Sequence, residues 1–147
     1  MAPGDISIRT MRQKDIAAIA AIDKRVLGKD RREYWAQKLE HSRRESPITP
    51  LVAEIDGKVA GFIIGFASWW EYGVPDNIGW VDTIGVDPAC QKKGVARALM
   101  EELMTNFRMI DVDTVFTMVD WREGGLLRFF DRMGFEKGDM INLKKKL

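Results

Sequence analysis

The chain has 147 residues, 46% of them hydrophobic and 31% charged, with a net charge of +1. That length suits one domain with one core, and the near-zero charge excludes a global field that would recruit nucleic acid or an anionic membrane. A single cysteine, Cys90, excludes an intramolecular disulfide, and with a single histidine, His41, there is no Cys/His cluster for a metal. Residues 1–10 hold no apolar run of signal-peptide length, and no window approaches the ~18 apolar residues of a membrane span. The expectation is a cytoplasmic protein, with Lys144-Lys145-Lys146 as a solvated tail.

In chain order, residues 6–9 alternate apolar and polar side chains and predict a short strand. Ile16, Ile19, Ala20 and Val26 recur at helical spacing within residues 15–26. Residues 30–42 are charged but align Tyr34, Trp35 and Leu39 on one stripe, which predicts a second helix. Ser46-Pro47-Ile48-Thr49-Pro50 breaks that pattern. Residues 51–55 predict a strand. Asp56-Gly57 predicts a type I′ hairpin turn, since both positions need positive φ. Residues 58–67 return as a nearly all-apolar strand. Residues 69–77 form a loop carrying Trp69, Trp70, Glu71 and Tyr72. Residues 78–86 are another strand, stopped by Asp87-Pro88 because proline cannot donate to a ladder. Residues 91–107 predict a helix with Val95, Leu99, Leu103 and Phe107 at four-residue spacing. A β-branched strand over 114–119, a helix over 125–133 ended by Gly134, and a last strand within 140–144 complete the order βααβββαβαβ. That order predicts a single α/β domain over residues 1–147, a mixed sheet flanked by helices.

The segment that carries chemistry is Gln91-Lys92-Lys93-Gly94-Val95-Ala96. The first-turn amides of a helix have no intrahelical acceptors, and the dipole adds partial positive charge there. Together they suit a phosphate or pyrophosphate. Gly94 removes a side chain where a ligand approaches the backbone, and Lys92, Lys93 and Arg97 add charge. Hydrogen bonds to a charged group contribute roughly 1.5–3 kcal/mol each. Two lysines at a helix N-terminus without an anion oppose the dipole. The alternative is a solvated first turn with a poor helix former in it.

Val86-Asp87-Pro88 followed by Gln91-Lys92-Lys93-Gly94-Val95-Ala96-Arg97-Ala98-Leu99 resembles the Q/R-x-x-G-x-G/A pyrophosphate motif of the GCN5-related N-acetyltransferase (GNAT) superfamily. Phe129-Phe130-Asp131-Arg132-Met133-Gly134-Phe135 is similar to the family's second marker, a helix ending in Gly-Phe. The resemblance implies a mostly antiparallel sheet with splayed central strands. It implies acetyl-CoA as co-substrate, with the backbone of Ile84, Gly85 and Val86 pairing with its pantetheine arm. The amides of Lys92, Lys93, Gly94, Val95, Ala96 and Arg97, after Gln91, would hold its pyrophosphate. The Val86 amide would polarise the thioester carbonyl. The other partner it implies is an amine acceptor, with a homodimer left open and no metal, nucleic acid or membrane.

Amine attack needs a base when the amine is protonated at pH 7. Asp82 is the first choice, within the fourth strand on the nominal face of Trp80 and Ile84. A carboxylate in an apolar strand costs several kcal/mol unless paired or hydrated, so an arginine partner such as Arg122 or Arg128 is the competing explanation. Asp120 and Glu123 are weaker candidates that could cap the following helix, and Glu71 and Tyr72 could cover the acceptor site. Trp69, Trp70, Tyr72 and Trp80 are candidates for an aromatic acceptor pocket or for core. Two departures stand out. Phe130 occupies the place of a tyrosine that in many relatives protonates the leaving thiolate, and Glu123 that of an asparagine contacting the cofactor arm. Met118 stands where some ribosomal-protein acetyltransferases carry a catalytic glutamate. The competing function is a non-catalytic acyl-CoA-binding module. A phosphate-loop nucleotide binder is disfavoured because Gly-x-x-x-x-Gly-Lys-Ser/Thr is absent.

Overall fold

The computed structural model describes residues 2, 4–69, 73 and 77–147. Trp70, Glu71 and Tyr72 therefore lie outside the described residues. The chain divides into two compact units, Met1–Thr117 and Met118–Leu147.

The first unit is built on five strands in sequence order: β1 (Ile6–Thr10), β2 (Leu51–Ile55), β3 (Lys58–Trp69), β4 (Asn77–Val86) and β5 (Thr114–Thr117). The first three pairings are antiparallel, and β4 pairs with β5 in parallel. The parallel pair needs a crossover, which α3 (Val95–Met109) supplies. Asp56 and Gly57 take φ of 50° and 76° in the β2–β3 turn, as the hairpin signal requires.

One face of the sheet carries α1 (Ile16–Leu27) and α2 (Arg32–Glu45). Ile16, Ile19, Ile22, Trp35 and Leu39 pack there against Val52, Phe62 and Ile64. Asp23 ties the two helices together. Its buried carboxylate accepts two hydrogen bonds from the Arg31 guanidinium and one from the Trp35 indole, each 2.9 Å. The Arg31 hydrogen bond holds the Asp23 carboxyl below the usual range against the opposing effect of burial, with Trp35 adding to it.

The other face carries α3, seated on a track of glycines. A Cβ at Gly61 would lie 2.8 Å from Val95, one at Gly65 3.1 Å from Leu103, and one at Gly79 2.8 Å from the Phe107 ring. These are three of the side chains at four-residue spacing. The backbone of β3 and β4 is bare where they land.

Several element ends shift by one to three residues from the sequence reading, and three differences bear on the site or the sheet. The third helix starts at Val95 rather than at 91, because Lys92 and Gly94 take φ of 63° and 88°, which no right-handed helix admits. The fifth strand ends at Thr117 rather than 119. The strand expected within 140–144 is not formed: Met140, Ile141 and Leu143 are all exposed. Adjacent Met140 and Ile141 cannot share one face of a pleat, and a strand exists only through ladder bonds to a neighbour, which local sequence does not specify.

In the second unit, α4 (Gly124–Arg132) ends in a complete Schellman cap. Gly134, at φ 88°, donates to the Asp131 carbonyl, and Phe135 donates to that of Phe130. The Phe130 and Phe135 rings meet edge to face at 5.0 Å.

Candidate active site

Strand β4 organises the site through two irregularities. The first is a bulge. Ile64 pairs with Thr83 and Gly65 with Val81, so Asp82 is an extra residue on β4. Plain alternation puts Ile84 on the face of Asp82, and the bulge reverses this. Thr83 lies opposite Ile64 and Gly85 opposite Phe62, both on the α1–α2 face, whereas Ile84 lies opposite Ile63 and turns away. The second is a splay. The β4–β5 pairing runs from Ile78↔Thr114 to Val81↔Thr117 and ends there, while β4 continues to Val86. The Thr117 hydroxyl donates to the Val81 carbonyl at 2.9 Å where the ladder stops. Residues 82–86, with Ile84, Gly85 and Val86 among them, thus run on past the paired length of β5.

After β4 the chain makes a 3-10 turn, Pro88–Cys90. The Asp87 carboxylate fixes this turn by accepting the Ala89 amide at 3.0 Å and the Arg25 guanidinium at 2.7 Å. Gln91, Lys92, Lys93 and Gly94 follow as a loop, with left-handed backbone at Lys92 and Gly94. Such alternation turns successive N–H groups inward into an anion-binding concavity. Gly94 is the N-cap of α3, and its carbonyl accepts from Ala98 at 3.0 Å. Val95, Ala96 and Arg97 form the first turn, whose amides the helix itself leaves unpaired. The requirement for glycine at 94 is conformational: a Cβ there would meet only Ile6, at 3.8 Å, but φ of 88° disfavours any side chain. The Arg97 guanidinium reaches Glu101 at 3.4 Å on the exposed helix face, so only its backbone belongs to the loop. Cys90 is half-buried in the turn.

Asp82 projects toward α2, where Lys38 Nζ lies 2.5 Å from its Oδ2. Thr83 Oγ1 is 3.4 Å from the same oxygen. The counter-ion is thus a lysine from a distant helix. Burial works against the Lys38 ammonium, but the hydrogen bond and charge of Asp82 outweigh it and hold the group above its ordinary value. Beside this pair, Phe66, Trp80 and Phe116 stand directly opposite one another on β3, β4 and β5. Their rings lie 6.2 Å and 5.4 Å apart, the first pair nearly parallel at 15°. Lys38, Thr83, Phe66 and Phe116 were not singled out from the sequence. Pairing across strands and between a helix and a bulge has no local signal, although the aromatic at each position was visible.

In the second unit, Arg122 grips Asp120 through both guanidinium edges, at 2.9 and 2.7 Å, and through its own amide. The side-chain bond from Arg122 pulls the Asp120 carboxyl down to about 2. A carboxylate so held is a weak proton acceptor. Glu123 is the N-cap of α4 without a side-chain cap bond.

These features, a strand splayed from its parallel neighbour and an amide-rich loop opening a helix, coincide with a match to the acetyltransferase (GNAT) family over residues 16–135. The chain belongs to the GNAT family. It is 30% identical over 142 residues to a mycothiol acetyltransferase from Thermomonospora curvata, a similarity that covers 92% of this chain and 46% of that protein. The chain thus spans about half the length of this curated relative. Among solved structures, an aminoglycoside N-acetyltransferase in complex with CoA superposes with a TM-score of 0.83 at 14% identity, covering 99% of this chain and 97% of that one. A ribosomal-protein-alanine N-acetyltransferase from Brucella melitensis gives a TM-score of 0.78 at 19% identity, covering 97% and 99%. The likeness to both is one of fold. This GNAT chain keeps the mixed, mostly antiparallel sheet and the central splay. Where many GNAT relatives have a tyrosine it has Phe130, which is buried and is the residue whose ring closes the cap of α4. Among the described residues, no cluster of His, Cys, Asp and Glu is suited to hold a metal, and no helix is long and apolar enough to cross a membrane.

Proposed function

We propose that this chain is a cytoplasmic N-acetyltransferase that moves an acetyl group from acetyl-CoA to a primary amine. The observation that carries this reading is the juxtaposition of residues 82–86 of β4, which run on past its pairing with β5, and, directly after the strand, a loop with left-handed backbone at Lys92 and Gly94. Acetyl-CoA supplies an activated acetyl thioester; the amine nitrogen takes the acetyl group and CoA leaves as its thiol.

The chain's own residues divide the work along one strand. The amides of Lys92, Lys93, Gly94, Val95, Ala96 and Arg97 hold the pyrophosphate, with Gln91 opening the loop. The backbone of Ile84, Gly85 and Val86 accompanies the pantetheine arm as an added strand would. The Val86 amide polarises the thioester carbonyl, where fixed dipoles act most strongly. Asp82, two residues before Ile84 on the same strand, receives the ammonium of the acceptor and takes its proton directly or through water. Phe130 has no proton to give. A thiol of ordinary pKa near 8.5 leaves without a dedicated acid, and water protonates it.

The expected result is that acetyl-CoA, but not ATP, stabilises the protein in a thermal shift, by about 2.7 kcal/mol at 100 Kd. Asp82→Ala keeps CoA binding and loses at least about tenfold in turnover, a floor below the roughly 10²–10⁴-fold that a positioned acid or base contributes. Stabilisation by ATP alone would sink the donor assignment, and unchanged kinetics in Asp82→Ala would remove that residue from the mechanism. A second reading, an acyl-CoA-binding module without turnover, is favoured by Phe130 alone. Acetyl transfer to any amine by the purified protein would exclude it.

A further inference from the structure

Three features outside the donor site meet at the bulge of β4. The Lys38 ammonium sits on Asp82 at 2.5 Å. Its Nζ also lies 5.6 Å from the centre of the Tyr34 ring, one turn back on the same helix, where a displaced ammonium has a cation–π alternative. Phe66, Trp80 and Phe116 form a continuous aromatic row across three strands, with Trp80 two residues from Asp82 and on its face. Phe66 is 37% exposed, so the row is open at its β3 end.

We propose that the acceptor is a primary amine on an aromatic body, and that its ammonium displaces Lys38 from Asp82 while the aromatic part continues the Phe66–Trp80–Phe116 row. This deepens the acetyltransferase reading and rests on Asp82 being on the acceptor side. Lys38 is then a positioning residue. It is an internal counter-ion that holds Asp82 until substrate arrives, and the acceptor has to compete with it. Removing Lys38 removes the cation that competes for Asp82, so it favours the incoming ammonium. A flat ring gains over a saturated one of equal size because aromatic pairs are worth about 0.5–1.5 kcal/mol beyond the area they bury.

The test is calorimetric titration of phenethylamine, and of the saturated analogue cyclohexylethylamine, into the CoA-saturated protein. Wild type is expected to bind phenethylamine at least threefold tighter than the analogue, and Phe66→Ala to abolish that preference. Lys38→Met and Lys38→Gln are expected to bind phenethylamine about tenfold tighter than wild type, and Lys38→Arg to match wild type. With acetyl-CoA, KM for phenethylamine should fall in Lys38→Met while kcat stays within about twofold, a split that a merely structural lysine would not produce. Equal or weaker binding in both folded neutral variants overturns the displacement. Equal affinity for the two amines, or no binding of phenethylamine to wild type and Lys38→Met, overturns the substrate class. Loss of turnover in Asp82→Asn together with unchanged Lys38 variants would sink this inference alone. Full turnover in Asp82→Asn would remove Asp82 from the acceptor side, on which this inference rests, and failure of CoA to bind would remove the acetyltransferase reading beneath it.

Discussion

At the scale of single residues, backbone conformation decides more than side-chain chemistry. Gly94 holds φ of 88°, and a Cβ there would make only an ordinary contact with Ile6 at 3.8 Å, so Gly94→Ala introduces no clash. It does force an L-residue into left-handed backbone, which costs about 1–2 kcal/mol. The expected outcome is a drop of that size in denaturant stability together with weaker CoA binding, read by calorimetry; unchanged CoA affinity would detach the loop from the donor. Asp23 gives a second prediction. Its folded-state carboxyl is held below the ordinary value, chiefly by Arg31. A group depressed in this way stabilises the fold fully above its unfolded pKa of about 3.9 and loses that contribution as pH falls through the folded value. Asp23→Asn should therefore flatten the acid side of the stability–pH curve and lower stability at pH 7 by about 2 kcal/mol, the scale of charged hydrogen bonds lost from a buried group. A parallel acid limb in variant and wild type would contradict this. The sequence singles out Gly94, for the approach of a ligand rather than for its left-handed backbone, and Asp82, as a charge inside an apolar strand. The partner of that carboxylate is not legible there, because Lys38 lies on another element and nothing local marks it.

At the scale of elements, the four-residue spacing of Val95, Leu99, Leu103 and Phe107 was enough to predict α3 and its buried face. What it could not reveal was the surface receiving that face. Gly61, Gly65 and Gly79 each look like weak points in their strands, yet they let the helix approach the sheet backbone. Three atoms of the Phe107 ring lie within 2.9 Å of a Cβ built at Gly79. Gly79→Ala should therefore cost about 1–3 kcal/mol by overpacking. Adding Phe107→Leu should recover part of that loss in chemical denaturation, whereas additive losses would show the contact to be relaxed at no cost. The sequence pattern places the helix start four residues too early for a related reason. Two lysines followed by glycine look like a first turn, and only the φ values separate a loop from a turn. Phe130 stands in the sequence where relatives carry an acid, and in the fold it is the hydrophobic half of a helix cap, with Phe135 of the Gly-Phe pair as its partner.

At the scale of the molecule, element order carried the fold further than any single motif. Strand, two helices, three strands and a helix fell in place from periodicity and turn residues. The splay of β4 from β5 followed only from the family resemblance, since no local pattern says where a ladder stops. The final strand failed for the same reason. The chain spans about half of a curated relative, which bears directly on stoichiometry. If this GNAT unit holds its own donor site, titration should give one CoA per chain. A ratio of one CoA to two chains would show that the site is completed by a second copy.

The parallel pairing that stops at Val81 has a consequence of another kind. A sheet normally confines its open hydrogen-bonding margins to the outermost strands, where natural proteins guard them with charge or short length. Here a margin opens inside the sheet, on its longest-paired neighbour, along five residues of which only Asp82 is charged. Such a margin invites any extended chain that can reach it. If the acetyl-CoA arm lies there as proposed, it also shields that margin, and donor supply and resistance to self-association become one property of the fold.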